Sequence, residues 1–308
     1  MVTLRGCLVA AAASLAPIGT VVQAPVGPPL LVSRPVRPLQ GSLVVVAVRP
    51  PAGDSVVAVT GDLAGEPLHF EPVAVEWHAV GAVPLDASDS VLGRVIIARA
   101  GGATDTMVAV LRVTRRSAPR ERLRVAPELV QAPDSLAERI RLERELVDDL
   151  RRRSHDTPRL WREPFMRPRP SAVKSVFGVS RRFNGVVRSR HFGVDFAGRP
   201  GAPVRAANRG IVVFEGDLYY SGRTLFIDHG AGLVTGYFHL SQALVAPSDT
   251  VARGQVIGHV GSSGRVTGPH LHWFAAYGAI TVDPFSLVTL DLERVLTPAR
   301  ADRAPEAR

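Results

Sequence analysis

The chain has 308 residues, enough for two cores, and with 46% hydrophobic and 21% charged residues it reads as globular rather than disordered. A single cysteine, Cys7, excludes an internal disulfide and any multi-thiolate metal site. The net charge of +9 rests almost wholly on arginine, Lys174 being the sole lysine. Such a balance favours polyanionic partners, whether nucleic acid, anionic lipid or an acidic wall polymer, without choosing among them; a high-GC codon bias would produce the same composition.

Residues 1–28 carry one arginine, an apolar run and then small residues, the layout of a secretory signal. Val22-Gln23-Ala24 offers a cleavage site, but Pro25 directly after it hinders processing, so retention as an N-terminal membrane anchor is the alternative. The apolar run follows Cys7 instead of preceding it, which argues against lipidation. Residues 30–115 form the next unit. Short β-branched runs at 43–48, 55–60, 73–77, 91–97 and 107–113, punctuated by Pro-Pro-Ala-Gly, Gly-Asp and Gly-Gly, predict an Ig-like β-sandwich. Its two histidines, His69 and His78, stand singly and read as surface or satisfied core groups.

A charged, proline-bearing linker covers 116–165. Asp134-Ser135 is a capping signal for a helix running to Arg153, with Leu136, Ile140, Leu142, Leu146 and Leu150 at helical spacing. The triple arginine 151–153 reads as its solvated last turn, where positive charge complements the helix dipole. From 166 to 290 the texture is glycine-rich and strand-like, with strands predicted at 211–214, 224–228, 233–238, 255–260 and 271–275; residues 291–308 are a tail. The predicted fold is therefore mainly β, with a helical linker between two β domains.

Six of the nine histidines lie between 191 and 272. His191 and Asp195 are four residues apart with Gly193 between them to let the backbone bend. Tyr237 and His239 fall on one face of a regular strand, and so do His270 and His272, whose Cα atoms would lie roughly 6.5–7 Å apart. Imidazole and carboxylate donors without sulfur suit a catalytic zinc site with an open position for water. Such a site needs further groups to move protons. No His-Glu-x-x-His string supplies a glutamate here, so spare histidines are the candidates; spacing leaves open which of His270 and His272 binds metal.

These residues occur in an ordered set: Phe177-Gly178, Arg182 and Asn184-Gly185, then HFGVDFAGRPGAPVRAANRGIV, IDHGAGLVTGYFHLS, VARGQVIGHVGSSGRVTGPHLHW and Val282-Asp283-Pro284. From about Trp161 to Val288 the chain resembles the lysostaphin/LytM-type zinc metallopeptidases that cut peptidoglycan cross-links. The resemblance implies a C-terminal antiparallel β-sheet LytM-type peptidase domain. It implies that His191, Asp195 and His272 hold one Zn2+ per chain, that His239 and His270 are catalytic without being ligands, and that Asn184 and Tyr237 line the substrate cleft. His229 and His259 have no assigned role and read as structural and incidental. The expected activity is hydrolysis of peptide bonds in peptidoglycan stem peptides or cross-links by an exported, periplasmic or envelope-bound endopeptidase with no nucleic-acid partner. Two other classes compete: an inactive LytM-like regulator of another wall hydrolase, and a basic adhesion or nucleic-acid-binding protein, which leaves the ordered histidines unexplained.

Overall fold

The computed structural model describes residues 28–117, 119–125, 130, 132–185 and 187–290. The predicted export segment and its cleavage site, and the tail from 291 on, lie outside the described residues. Eight strands build the first unit: β1 (Leu30–Arg34), β2 (Leu43–Arg49), β3 (Val56–Leu63), β4 (Glu66–Pro67), β5 (Glu71–Val73), β6 (Glu76–Ala82), β7 (Ser90–Arg99) and β8 (Thr104–Arg112). They form two four-stranded antiparallel sheets, β1-β2-β6-β5 and β4-β3-β7-β8. The run predicted at 73–77 is broken, because Ala74 adopts a left-handed φ of 53° and turns β5 into β6. The predicted Gly-Asp turn at 61–62 is instead continuous strand, with Gly61 opposite Val95.

The two faces of β2 show how this unit is fixed to the rest. Val44 and Val46 pack with Leu63, Val91 and Leu111 inside the sandwich. Leu43 and Val45, one residue out of phase, join Trp161, Tyr277 and Val282 in the core of the second unit. Strand alternation thus makes β2 a shared layer, buried on both sides.

The linker contributes β9 (Arg120–Leu123) and, after a 3-10 turn at Asp134–Leu136, helix α1 (Ala137–Arg153). No side chain caps α1, contrary to the Asp134-Ser135 signal. Ile140 is buried, and Val147 and Leu150 pack on Phe226, Val234 and Phe274 of the second unit. Leu142 and Leu146 lie on the exposed side. Arg151 is not solvated as predicted. Its Nε donates to the Gly278 carbonyl at 3.1 Å and its Nη2 to that of Ala279, so it anchors the helix to the sheet.

The second unit contains β10 (Val173–Ser175), β11 (Ser180–Phe183), β12 (Val187–Arg190), β13 (Val194–Ala197), β14 (Pro203–Arg205), β15 (Gly210–Leu218), β16 (Gly222–Gly230), β17 (Leu233–Ala243), β18 (Thr250–Val251), β19 (Val256–Val260), β20 (His270–Tyr277) and β21 (Ile280–Val282), then α2 (Phe285–Thr289). Its main path, β10-β13-β20-β17-β16-β15-β18, is antiparallel, with β14, β19 and β21 attached. Along β20 the side chains alternate: Leu271, Trp273, Ala275 and Tyr277 enter the large core, while Phe274 and Ala276 face the α1 side. On β13, Val194 and Phe196 likewise enter the core and leave Asp195 on the opposite face.

Removing the Arg151 side chain strips two carbonyls, one of them buried, of a charged donor. Arg151→Ala should lower stability by about 1.5–3 kcal/mol, read as a shift of the urea midpoint. An unchanged midpoint would show that the helix is held by its apolar face alone.

Candidate metal centre

Asp195 and His272 are direct cross-strand partners in the β13–β20 ladder, and Phe238 is the partner of His272 on its other side, in β17. His191 lies just before β13, with its Nδ1 2.8 Å from the Val176 carbonyl. That contact places the ring proton on Nδ1 and leaves the Nε2 lone pair facing the centre. There Nε2 is 3.0 Å from Asp195 Oδ1 and 3.0 Å from His272 Nδ1, and the last two atoms are 2.8 Å apart. Tetrahedral ligands at about 2.0–2.1 Å from one zinc stand about 3.3 Å from each other, so this triangle is close to that size. The three side chains are buried and form the one metal-capable group among the described residues.

Gly193 serves this centre differently from the predicted bend. A Cβ there would come 2.3 Å from His272 Nε2 and 2.6 Å from the Trp273 carbonyl, so the missing side chain is space for the ligand ring. Phe238 stacks on the opposite side of that ring, centroids 5.1 Å apart and planes within 9°. Burial pushes the His272 imidazole down to about 4 despite the neighbouring carboxylate. Burial would raise the carboxyl of Asp195, but the adjacent His191 and His272 bring it far below the usual carboxylate range. His272 is thus a neutral imidazole and Asp195 an ionised carboxylate, the forms in which these groups ligate metals.

His239 and His270 stand beside this triangle, their rings 4.9 Å apart. Each has Nδ1 2.8 Å from a backbone carbonyl, of Ser263 and Gly268 respectively, which turns both Nε2 atoms toward the cleft as lone pairs. His270 Nε2 is 3.6 Å from Asp195 Oδ1. Burial, then the neighbouring His272 and His270, push the His239 imidazole down to about 3, so it is neutral at pH 7. The structure therefore brings together all five residues that the sequence singled out as ligands or catalytic histidines.

Two predicted cleft residues are elsewhere. Tyr237 is fully buried in the large core, where its hydroxyl accepts from the Ala207 amide at 2.8 Å and lies 3.1 Å from Thr235 Oγ1. Burial raises its phenol to about 12. The shared face predicted for Tyr237 and His239 fails because β17 carries one extra residue between Tyr237 and Leu240, with His239 at φ 60°. That bulge resets the alternation, so that Phe238 and His239 both face the site while Tyr237 and Leu240 both face the core. Asn184 sits at φ 47° in the turn after β11, its carboxamide accepting from and donating to the backbone of Val125. It binds the linker and does not line the cleft.

His229 has the structural role expected of it: buried, with Nδ1 2.7 Å from the Arg209 carbonyl and Nε2 2.8 Å from Thr235 Oγ1. The His259 ring has Nδ1 3.3 Å from Gln242 Oε1, away from the centre.

The centre opens into a cleft of about 440 Å³ whose walls include Glu121 and Leu123 of the linker, Phe183, Tyr220 and Arg265. Past Phe238 it continues into an apolar trough of about 420 Å³ between α1 and the sheet, lined by Ile140, Val147, Phe226 and Phe274. Arg265 lies over the rings of Phe183 and Tyr220, 4.6 and 4.4 Å from their centroids.

Residues 189–284, which hold every one of these site histidines, match the model of peptidase family M23. The chain carries an M23 peptidase domain. Among curated relatives, the DD-carboxypeptidase/endopeptidase Mpg of Neisseria meningitidis serogroup B is 43% identical over 97 residues, 32% of this chain and 22% of that protein. The peptidoglycan DD-endopeptidase ShyA of Vibrio cholerae is 44% identical over 95 residues, 30% of this chain and 22% of that protein. The chain thus spans about a fifth of the length of these relatives. A crystal structure of an M23 peptidase from Pseudomonas aeruginosa covers far more: 82% of this chain and 94% of its own, at 26% identity and a TM-score of 0.62. The M23 match begins after β11 and excludes β9 and α1, so both linker elements that line the cleft lie outside it.

A methyl group at position 193 has no room unless the His272 ring or the strand behind it moves. Gly193→Ala should lose stoichiometric metal, measured by atomic emission on the purified protein, while far-ultraviolet dichroism stays unchanged. Full metal content would mean that the ring adapts and the close approach is incidental.

Proposed function

We propose that the protein is a zinc-dependent endopeptidase that hydrolyses peptide bonds in peptidoglycan stem peptides or cross-links. The observation that carries this reading is the pairing of three converging donors with two histidines whose free Nε2 atoms face the same cleft. His191, Asp195 and His272 hold the zinc, and their donor set fits it. With one carboxylate the bound ion keeps a net charge near +1 and supplies Lewis-acid chemistry and a water of lowered pKa.

The remaining work falls to the chain's own groups. His239 and His270, each with Nδ1 held on a backbone carbonyl, can accept a proton at Nε2 from the attacking water and return one to the leaving amine. Once protonated, either Nε2–H can donate to the oxyanion that develops on the scissile carbonyl. Phe238 and the apolar trough flank the centre on one side, and the wider cleft receives the chain on the other. A groove that passes the centre in both directions suits an internal bond of an extended peptide.

Charge supports an acidic substrate. Among the described residues, Lys174, Arg190 and Arg265 line the cleft without a carboxylate partner, and its two carboxylates, Glu121 and Asp195, are both engaged by Arg181. Stem peptides carry free carboxylates that such cations recognise. The named activities of the similar DD-endopeptidases support the same substrate class. Because peptidoglycan lies outside the cytoplasmic membrane, the reading includes export, with the N-terminal segment as signal or anchor.

Digestion of purified peptidoglycan by the chain, with and without a chelator, should release uncross-linked peptides only when zinc is present, as read by mass spectrometry. Absence of fragments from a preparation holding one zinc per chain would favour the regulatory alternative. The ligand assignment has its own check. His272→Ala should abolish stoichiometric zinc, whereas His270→Ala should retain it and lose at least 100-fold in activity, the order of one general acid-base group. Equal zinc loss in both variants would overturn the division of roles.

A further inference from the structure

The carboxylate of Asp195 has two oxygens with separate environments. Oδ1 belongs to the donor triangle, and Oδ2 accepts from Arg181 Nη2 at 2.6 Å. Arg181, on β11, is itself held: its Nε donates to Glu121 Oε2 at 3.0 Å, and its Nη2 reaches Ser175 Oγ at 3.0 Å. Ser175 Oγ in turn donates to Glu121 Oε1 at 2.7 Å and lies 3.2 Å from His191 Nδ1. Glu121 therefore touches both supports of the centre, one leading to Asp195 and one to His191.

The position of Glu121 is set by the backbone. Strand β9 adds to β11 in parallel, with Glu121 opposite Arg181 and Arg120 opposite Ser180. Two further contacts, from the Asn184 carboxamide to Val125, hold the segment just after it. Glu121 belongs to the linker, 68 residues before the start of the M23 match at 189.

Charge balance shows what Glu121 contributes. A guanidinium bonded to a metal's carboxylate ligand fixes that ligand's orientation, but it also withdraws electron density and repels the cation. An ionised glutamate on the far side of the guanidinium offsets the repulsion and keeps the orientation. Arg181 and Glu121 have side-chain exposures of 15% and 26%, shielded enough for the offset to be felt across the chain of three groups.

Resting on the zinc reading above, we infer that Glu121 is a positioning residue of the metal centre, acting through Arg181 and Ser175, and that the linker strand is thereby part of the zinc site. Docking of β9 completes the outer support of two ligands, so the matched peptidase segment does not hold its metal at full affinity alone.

Zinc affinity of the full chain, measured by competition with a chromogenic chelator, tests this without recourse to activity. Glu121→Gln should raise the zinc dissociation constant about 10–100-fold, the usual effect of losing an outer-shell partner, while the apo protein's melting temperature stays within a few degrees. Glu121→Asp, which keeps the charge but is too short to hold both supports, should raise it at least threefold, and it carries the measurement if the glutamine variant does not fold. In an Arg181→Gln background, Glu121→Gln should change affinity less than threefold, because the relay is already cut. A dissociation constant within twofold of wild type for the folded glutamine variant would overturn the inference, as would an undiminished effect in the Arg181→Gln background. A wild-type chain that binds no zinc would instead sink the endopeptidase reading, a separate outcome.

Discussion

Everything at the centre depends on one register: Asp195 directly opposite His272 in the β13–β20 ladder. With a side-chain period of two, a slip of one residue would send His272 into the large core and Leu271 into the cleft. The register is fixed by the apolar partners on the other face. Val194, Phe196, Leu271 and Trp273 are all completely or almost completely buried in one cluster, and they cannot change faces together. The ligands are thus held by hydrophobic burial on the reverse side of the strands that carry them. Desolvation of the centre is a consequence of the same packing, and it keeps the His272 imidazole neutral and available as a donor.

The five polar residues at the centre were legible in sequence because they lie in an ordered set of short strings that resembles the LytM-type peptidases. His191 and Asp195 are four apart and His270 and His272 two apart on one face, whereas His239 sits inside β17 at its bulge. The long strands of both units were legible because each is a β-branched run between turn residues. What failed did so where the backbone departs from its period. The bulge at His239 separates Tyr237 from the cleft, and no residue type near it announces the extra position. Ala74 makes a turn inside what reads as a strand. Asn184 has the left-handed conformation that its residue type tolerates, but the partner that consumes its amide, Val125, is 59 residues away.

Linker contributions were least legible because they depend on pairing between distant segments. Arg151 looks like a solvated end of a helix until the carbonyls of Gly278 and Ala279 are placed above it. Glu121 lies in no motif, and parallel addition of β9 to β11 leaves no signature in either strand. Leu142 and Leu146 fit the helical spacing as well as Val147 does, yet only Val147 faces the sheet, since the side that docks is chosen by the partner surface and not by the helix.

These two linker elements give the cleft its asymmetry. Helix α1 closes the apolar trough on one side of the metal centre, and β9 closes the wider, cationic cleft on the other. The M23 segment supplies the three converging donors and the two histidines beside them, whereas the walls of the cleft and trough come partly from outside it. A protein keeping the same five residues but a different linker would therefore present the same chemistry to a differently shaped groove. On the proposed endopeptidase reading, selectivity is separable from catalysis, because changes at Ile140, Val147 or Leu123 alter the groove without touching the hydrogen bonds that orient His191, Asp195 and His272. Glu121 is the exception: it lines the cleft and supports the ligands together, so that position is constrained by both requirements.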